Sequence, residues 1–231
     1  MSNTIPILFI NASWPSEKDR GATGISSEWA QQALRELVNY NARKRDYKII
    51  KLCGSDATRE NIEDALQKVK HKKGMVVFYG HGCKCGEVLY ESQYGLNTPF
   101  LAALDPINCR LLSNKIVYAV ACYSAKVLGK YVTRKGAISY IGYEGALVLL
   151  ADHKRVPALK QAVNVGLELL TQKNATCIQA HSSIYRHFGD AILRCLKMGT
   201  QDAFVNAWAL SLSRDALVSP EKMGKQGARL R

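Results

Sequence analysis

Several common signatures are missing from the 231 residues. There is no G-x-x-x-x-G-K-[ST] loop and no G-x-G-x-x-G turn after the first apolar run, so nucleotide binding has no motif behind it. The N-terminal run from Ile5 to Ile10 is too short for a membrane span or a signal-peptide core, and no Lys or Arg precedes it. Internal repeats, low-complexity tracts and linker-like stretches are also absent. The seven cysteines (53, 83, 85, 109, 122, 177 and 195) are odd in number and irregularly spaced, unlike a secreted disulfide framework. A reducing, cytoplasmic setting with no membrane contact is therefore expected.

Acidic residues are scarce beside basic ones, 19 against 32, for a formal net charge of +13. Such an excess suits nucleic acid, an acidic partner surface or an acidic substrate. The runs at Arg43–Arg45, Lys68–Lys73 and Lys126–Lys135 fall where helices end, and there cations complement the helix dipole. The apolar share of 47% and charged share of 22% are those of an ordinary globular chain, long enough to bury a sizeable core.

Five short apolar runs read as strands: Ile5–Ala12, Tyr47–Cys53, Met75–Tyr79, Lys115–Ala121 and Ala137–Ile141. Between them lie helical patterns. One begins near Glu28 after a capping Ser26 or Ser27 and buries Trp29, Ala33 and Leu37. A second follows Thr58 and buries Ile62, Leu66 and Val69. The stretch from Ser13 to Gly24 is a long loop, and a short helix is expected around Pro99–Leu104. A helix starting near Tyr123 runs to Gly136. From about Val156 the pattern is helical throughout, with stripes Leu159/Val163/Leu167/Leu170, Ile184/Phe188/Ile192 and Phe204/Val205/Trp208/Leu212. After Ser219 the apolar period stops and disorder is expected.

Alternating strands and helices with continuously apolar strands imply a mainly parallel sheet covered on both faces. Such sheets carry function just past the carboxyl ends of their strands. Two reactive side chains sit there: His81 after Met75–Tyr79, and Cys122 after Lys115–Ala121. The span between them suits one crossover between neighbouring parallel strands. A thiolate is a strong nucleophile, and an imidazole beside it can move its proton. Placed at a helix N-terminus, Cys122 would gain further thiolate stabilisation. Gly82 permits close backbone approach, and its N–H and that of Cys122 are candidate oxyanion donors.

Tyr79-Gly80-His81-Gly82 after one strand and Tyr118-Ala119-Val120-Ala121-Cys122 after the next resemble the paired signature of the caspase-like (clan CD) cysteine peptidases, closest in feel to bacterial CHAT and gingipain-type chains. The resemblance covers about Ile5 to Asp152. Tyr123-Ser124 departs from the Arg-Gly of the animal caspases. It implies an α/β, caspase-like three-layer sandwich: residues 1–152 as catalytic core, 153–218 as a helical extension packed on it, 219–231 as a disordered basic tail. It further implies a cysteine endopeptidase with catalytic His81 and Cys122, an oxyanion hole from Gly82 and Cys122, and no cofactor. Asp152, with Glu144 as the weaker choice, would line a substrate pocket for a basic side chain. Expected partners are a protein substrate and a regulatory protein; a bacterial stress or antiviral defence role is the biological setting the resemblance suggests.

Other readings stand beside it. The chain could be a non-catalytic basic module on the same fold that binds nucleic acid or an acidic protein, or a thiol-dependent amidase or esterase. Cys83 and Cys85 could join His81 and Cys109 around zinc, or act as loop thiols in the oxidation chemistry of Cys122.

Overall fold

The structure, a computed structural model, describes residues 4–12, 22–90, 102–148 and 157–231. Strands β1 (Ile5–Asn11), β2 (Tyr47–Cys53), β3 (Gly74–Tyr79), β6 (Lys115–Val120) and β7 (Ser139–Ile141) form one sheet in the order β2-β1-β3-β6-β7. Every pairing in it is parallel. A two-stranded antiparallel ribbon, β4 (Leu89–Tyr90) with β5 (Ala102–Leu104), stands apart from it.

Strand alternation sends successive side chains to opposite layers. Phe9, Val77 and Tyr118 enter the layer under α1 (Ala22–Lys44), α4 (Pro157–Gln172) and α5 (Cys177–Met198). Leu8, Val76, Val117 and Tyr140 enter the layer under α2 (Arg59–Lys68) and α3 (Leu128–Arg134). Because both faces are covered, the central strands are apolar throughout rather than alternating. Tyrosine hydroxyls tie the sheet to α4: Tyr79 Oη donates to Asn164 Oδ1 at 2.8 Å and Tyr118 Oη to the Val163 carbonyl at 2.6 Å. The result is the α/β three-layer architecture expected from the sequence, with α4, α5 and α6 (Gln201–Asp215) following the sheet.

Four local expectations fail. Helix α1 begins at Ala22, not near Glu28, so the loop that precedes it ends earlier; residues 13–21 lie outside those described. Ala102–Leu104 is a strand, not part of a helix, because it pairs with Leu89–Tyr90; Pro99–Leu101 lie outside the described residues. The stripe Phe204/Val205/Trp208/Leu212 of α6 is exposed, and Ala203, Ala207 and Leu210 face inward instead. The helix pair α5–α6 packs closely, and small side chains permit that approach.

The fourth concerns the end of the chain, which is packed rather than disordered. Met223 and Lys225 bond across the edge of β7, from Tyr140 N–H to the Met223 carbonyl at 2.9 Å and from Lys225 N–H to the Ile138 carbonyl at 2.8 Å. This covers an edge that would otherwise offer unpaired backbone groups. The Ala228 and Gln226 carbonyls then accept the Cys177 and Ile178 amides at the start of α5. Leu230 is fully buried, and Arg231 reaches Asp46 at 2.8 Å and lies over Tyr40 and Tyr47. No apolar period marks this segment because its anchors are backbone bonds and two terminal side chains. Leu230→Ala is expected to cost about 2–5 kcal/mol in denaturant unfolding; a disordered tail would show no change.

Candidate active site

β3 and β6 run in register, with Tyr79 opposite Val120, so two residues further along each chain bring His81 and Cys122 level at the carboxyl edge of the sheet. The ladder extends past the strands through a bond from Gly80 N–H to the Val120 carbonyl at 3.3 Å. At Gly82 the two chains touch: a Cβ there would fall on the Cys122 carbonyl oxygen, so only glycine fits.

The segment after His81 is a hairpin, which its Gly and Cys content did not reveal. The His81 carbonyl accepts from Tyr90 N–H at 3.0 Å, and Cys83 N–H donates to the Val88 carbonyl at 2.9 Å. These bonds flank the Gly82–Leu89 bridge, so the polar groups of Gly82 face away from Leu89, and among the described residues its N–H has no acceptor. The hairpin is pinned to the Cys122 turn by Leu128 N–H on the Gly86 carbonyl at 2.8 Å and by Lys126 Nζ on the Lys84 carbonyl at 3.2 Å.

Cys83 and Cys85 form a disulfide within this hairpin. That corrects the reading of all seven cysteines as thiols: one local pair is bonded, while Cys53, Cys109, Cys122, Cys177 and Cys195 are free. It also removes the zinc alternative, since disulfide sulfurs are not thiolate ligands, and no group of three or more metal-binding side chains assembles among the described residues.

Cys122 does not begin a helix. Residues 122–127 are turns and α3 starts only at Leu128, so the expected helix-terminus effect is absent. Tyr123 takes a left-handed backbone (φ 55°), which is strained for a bulky residue, and its N–H donates to the Gly145 carbonyl at 2.8 Å. This bend leaves the Cys122 sulfur facing the segment after β7. There the Leu147 N–H donates to Sγ at 3.2 Å. Burial pushes the Cys122 thiol up, against the lowering effect of the Leu147 amide and of its own amide. Burial pushes His81 down. Both groups are therefore held neutral near pH 7, without a resting thiolate–imidazolium pair.

The Leu147 amide could not be found from sequence, because a backbone donor has no residue signature. Ser124 is a second such case: fully buried, its Oγ accepts from Tyr143 N–H at 3.1 Å and donates to the Ala119 carbonyl at 3.4 Å, clamping residues 142–148 to the nucleophile turn. Glu144 lies on this segment with an exposed side chain and donates its backbone N–H to the Ala216 carbonyl at 2.8 Å. Asp152 lies outside the described residues. Cys177, at the start of α5, is fully buried in the core.

A parallel five-stranded sheet in this order, flanked on both faces and followed by helices, is the fold of the caspase-like (clan CD) cysteine peptidases. Among solved structures, gingipain R, described as an Arg specific cysteine proteinase, matches with a TM-score of 0.55 at 14% identity over 97% of this chain and 48% of its own. The complex of the Porphyromonas gingivalis RgpB pro- and mature domains matches at 0.50, again at 14% identity, over 97% and 49%. A secreted C11 cysteine protease from Bacteroides thetaiotaomicron gives 0.48 at 13% identity over 84% and 60%. The chain thus spans about half the length of the gingipain chains it matches. At these identities the likeness is one of fold. No family model and no curated protein sequence matches the chain. No helix among the described residues is long and apolar enough to cross a membrane.

Proposed function

We propose that the chain is a cysteine endopeptidase with Cys122 as nucleophile and His81 as its proton carrier. The observation behind this reading is the level placement of the two residues past adjacent parallel strands, with Gly82 packed on the Cys122 backbone.

The chemistry runs from the neutral pair. A peptide carbonyl enters between the hairpin and the 142–148 segment. As Sγ bonds to the carbonyl carbon its proton passes to His81, and the oxyanion forms against the Gly82 and Cys122 amides. His81 then delivers that proton to the departing amine as the C–N bond breaks, leaving a thioester. Water, giving its proton to His81, attacks the thioester; the acid leaves and Sγ regains its proton. Leu147 N–H steadies the negative sulfur in the two steps that expose it.

A basic side chain before the scissile bond suits the exposed carboxylate of Glu144 on the segment that touches Sγ, with Asp152 a few residues further on. Gingipain R, of the same fold, is described as Arg specific.

The test is covalent labelling with a peptidyl electrophile carrying Arg or Lys, read by intact mass. Cys122→Ala should take no label, and His81→Ala should label about a hundredfold more slowly. Because burial raises the thiol, iodoacetamide should modify Cys122 about tenfold faster per pH unit through neutrality, following the thiolate fraction. A rate plateau below pH 7 would show a resting ion pair and overturn the neutral dyad. A wild-type chain that takes no peptidyl label, with Cys122 accessible to iodoacetamide, would sink the peptidase reading and leave an amidase or a binding module.

A further inference from the structure

The Cys83–Cys85 disulfide takes no part in the chemistry proposed above, and the fold does not need it. Its hairpin is already closed by Cys83 N–H on the Val88 carbonyl at 2.9 Å and by Gly86 N–H on the Cys83 carbonyl at 2.8 Å. The two cysteines are only two positions apart, and the stabilisation a disulfide gives shrinks with the loop it closes.

Its surroundings suit reaction instead. Cys85 is exposed and Cys83 half-buried. Each sulfur has a backbone donor: Cys85 N–H lies 3.1 Å from Cys83 Sγ, and Glu87 N–H lies 3.5 Å from Cys85 Sγ. Donors placed to hold thiolates stabilise the reduced pair, and a disulfide whose reduced form is stabilised is easily reduced. Lys84 sits between the cysteines, and Lys126 Nζ bonds the Lys84 carbonyl at 3.2 Å. Two cations therefore stand on or against the hairpin tip, opposed by the exposed carboxylate of Glu87 on the same hairpin.

The same hairpin shapes the site. Gly82, next to Cys83, packs on the Cys122 carbonyl, and the tip rests on the turn after Cys122. There the Gly86 carbonyl accepts from Leu128 N–H at 2.8 Å, and a Cβ on Gly86 would meet Lys126 Cβ at 2.7 Å. Two unbonded sulfurs need more room than a bonded pair, so reduction spreads residues 83–85 and loosens the contact of Lys84 with Lys126.

We infer that Cys83–Cys85 is a site of thiol–disulfide exchange with a dithiol reductant, and that its oxidised state holds the hairpin in the geometry that supports Cys122. The second half rests on Cys122 being the nucleophile; the first does not. A thiolate of the dithiol attacks the exposed Cys85 Sγ. The S–S bond breaks, and its electron pair leaves on Cys83 Sγ, which faces the Cys85 N–H. The second thiolate of the dithiol then attacks its own partner sulfur in the mixed disulfide and releases Cys85. The dithiol ends as its disulfide, and the two protons it brought pass to Cys83 and Cys85.

The test treats the folded full chain with dithiothreitol, quenches with N-ethylmaleimide and maps the adducts by peptide mass. Cys83 and Cys85 should be alkylated together, and oxidised glutathione should close the pair again once the dithiol is removed. Reduction should lower the melting temperature by no more than about 6 °C. A pair that opens only in urea, that does not re-form, or whose opening lowers the melting temperature further is a structural staple, and overturns the exchange site. With the dithiol removed, the reduced chain, and a Cys83→Ser/Cys85→Ser variant that needs no reductant, should label Cys122 with a peptidyl electrophile at least about fivefold more slowly than the oxidised chain. That is the lower end of ordinary site-to-site coupling. Equal rates overturn the coupling alone. If neither form takes the label, the peptidase reading and the coupling fail together, while the exchange site stands on the alkylation result.

Discussion

Gly82→Ala is expected to slow labelling of Cys122 by a peptidyl electrophile at least about a hundredfold, the scale of losing one oxyanion donor. The added methyl would occupy the space of the Cys122 carbonyl oxygen. That atom belongs to the backbone and cannot swing aside, so the His81–Gly82 chain must withdraw from the Cys122 turn. Withdrawal moves both the Gly82 amide and the His81 ring away from the sulfur. Overpacking of this kind also costs about 1–3 kcal/mol of stability, so the variant should be checked by thermal melting before its kinetics are read. Gly189→Ala is the control. A Cβ at that helical position meets nothing within 4 Å, and the variant should be as reactive as wild type and slightly more stable, by about 0.5–1 kcal/mol. Equal reactivity of Gly82→Ala and wild type would remove Gly82 from the site.

A large stability effect is also expected at Lys115, the first residue of β6. Its side chain is 1% exposed, and Nζ donates to the carbonyls of Val69 (3.0 Å), Lys70 (3.3 Å), Lys72 (2.7 Å) and Ser113 (3.2 Å). The first three belong to the turn that follows α2, in which the Val69 carbonyl also accepts from Lys72 N–H at 3.0 Å. Lys115→Met keeps the length of the stem and strands these acceptors, at a cost of about 3 kcal/mol, or about 6–12 °C in Tm for a chain of this size. Burial pushes the Lys115 ammonium down to about 8. Between that value and the ordinary 10.5 the unfolded chain holds a proton that the folded chain has released, so folding gains as pH rises through the window. The gap in stability between wild type and Lys115→Met should therefore be wider near pH 9.5 than at pH 7 in urea unfolding; a constant gap would mean that Lys115 keeps its charge throughout.

The parts legible in the sequence are those set by local pattern. Runs such as Met75–Tyr79 and Ile116–Ala121 are apolar at every position, which only a strand buried on both faces requires. Their helical connections force parallel pairing, and parallel pairing puts the residues after each strand on one edge. Those steps alone carry the backbones of His81 and Cys122 to the same sheet edge. Gly82 could be singled out for the same reason, although its contact with the Cys122 carbonyl could not.

Other features depend on long-range packing. In α6 both stripes repeat with helical period, and hydrophobicity alone favours Phe204/Val205/Trp208/Leu212 as the buried one; the tight approach of α5 instead selects Ala203/Ala207/Leu210. The tail from Met223 to Arg231 is held by backbone bonds to β7 and α5, which carry no side-chain signature. The strained turn at Tyr123 breaks the helix expected after Cys122, so the sulfur takes its support from the Leu147 amide. His81 and Cys122 reach the same edge because strand pattern is local. What surrounds them follows from backbone groups of segments distant in sequence, whose positions exist only once the layers have packed.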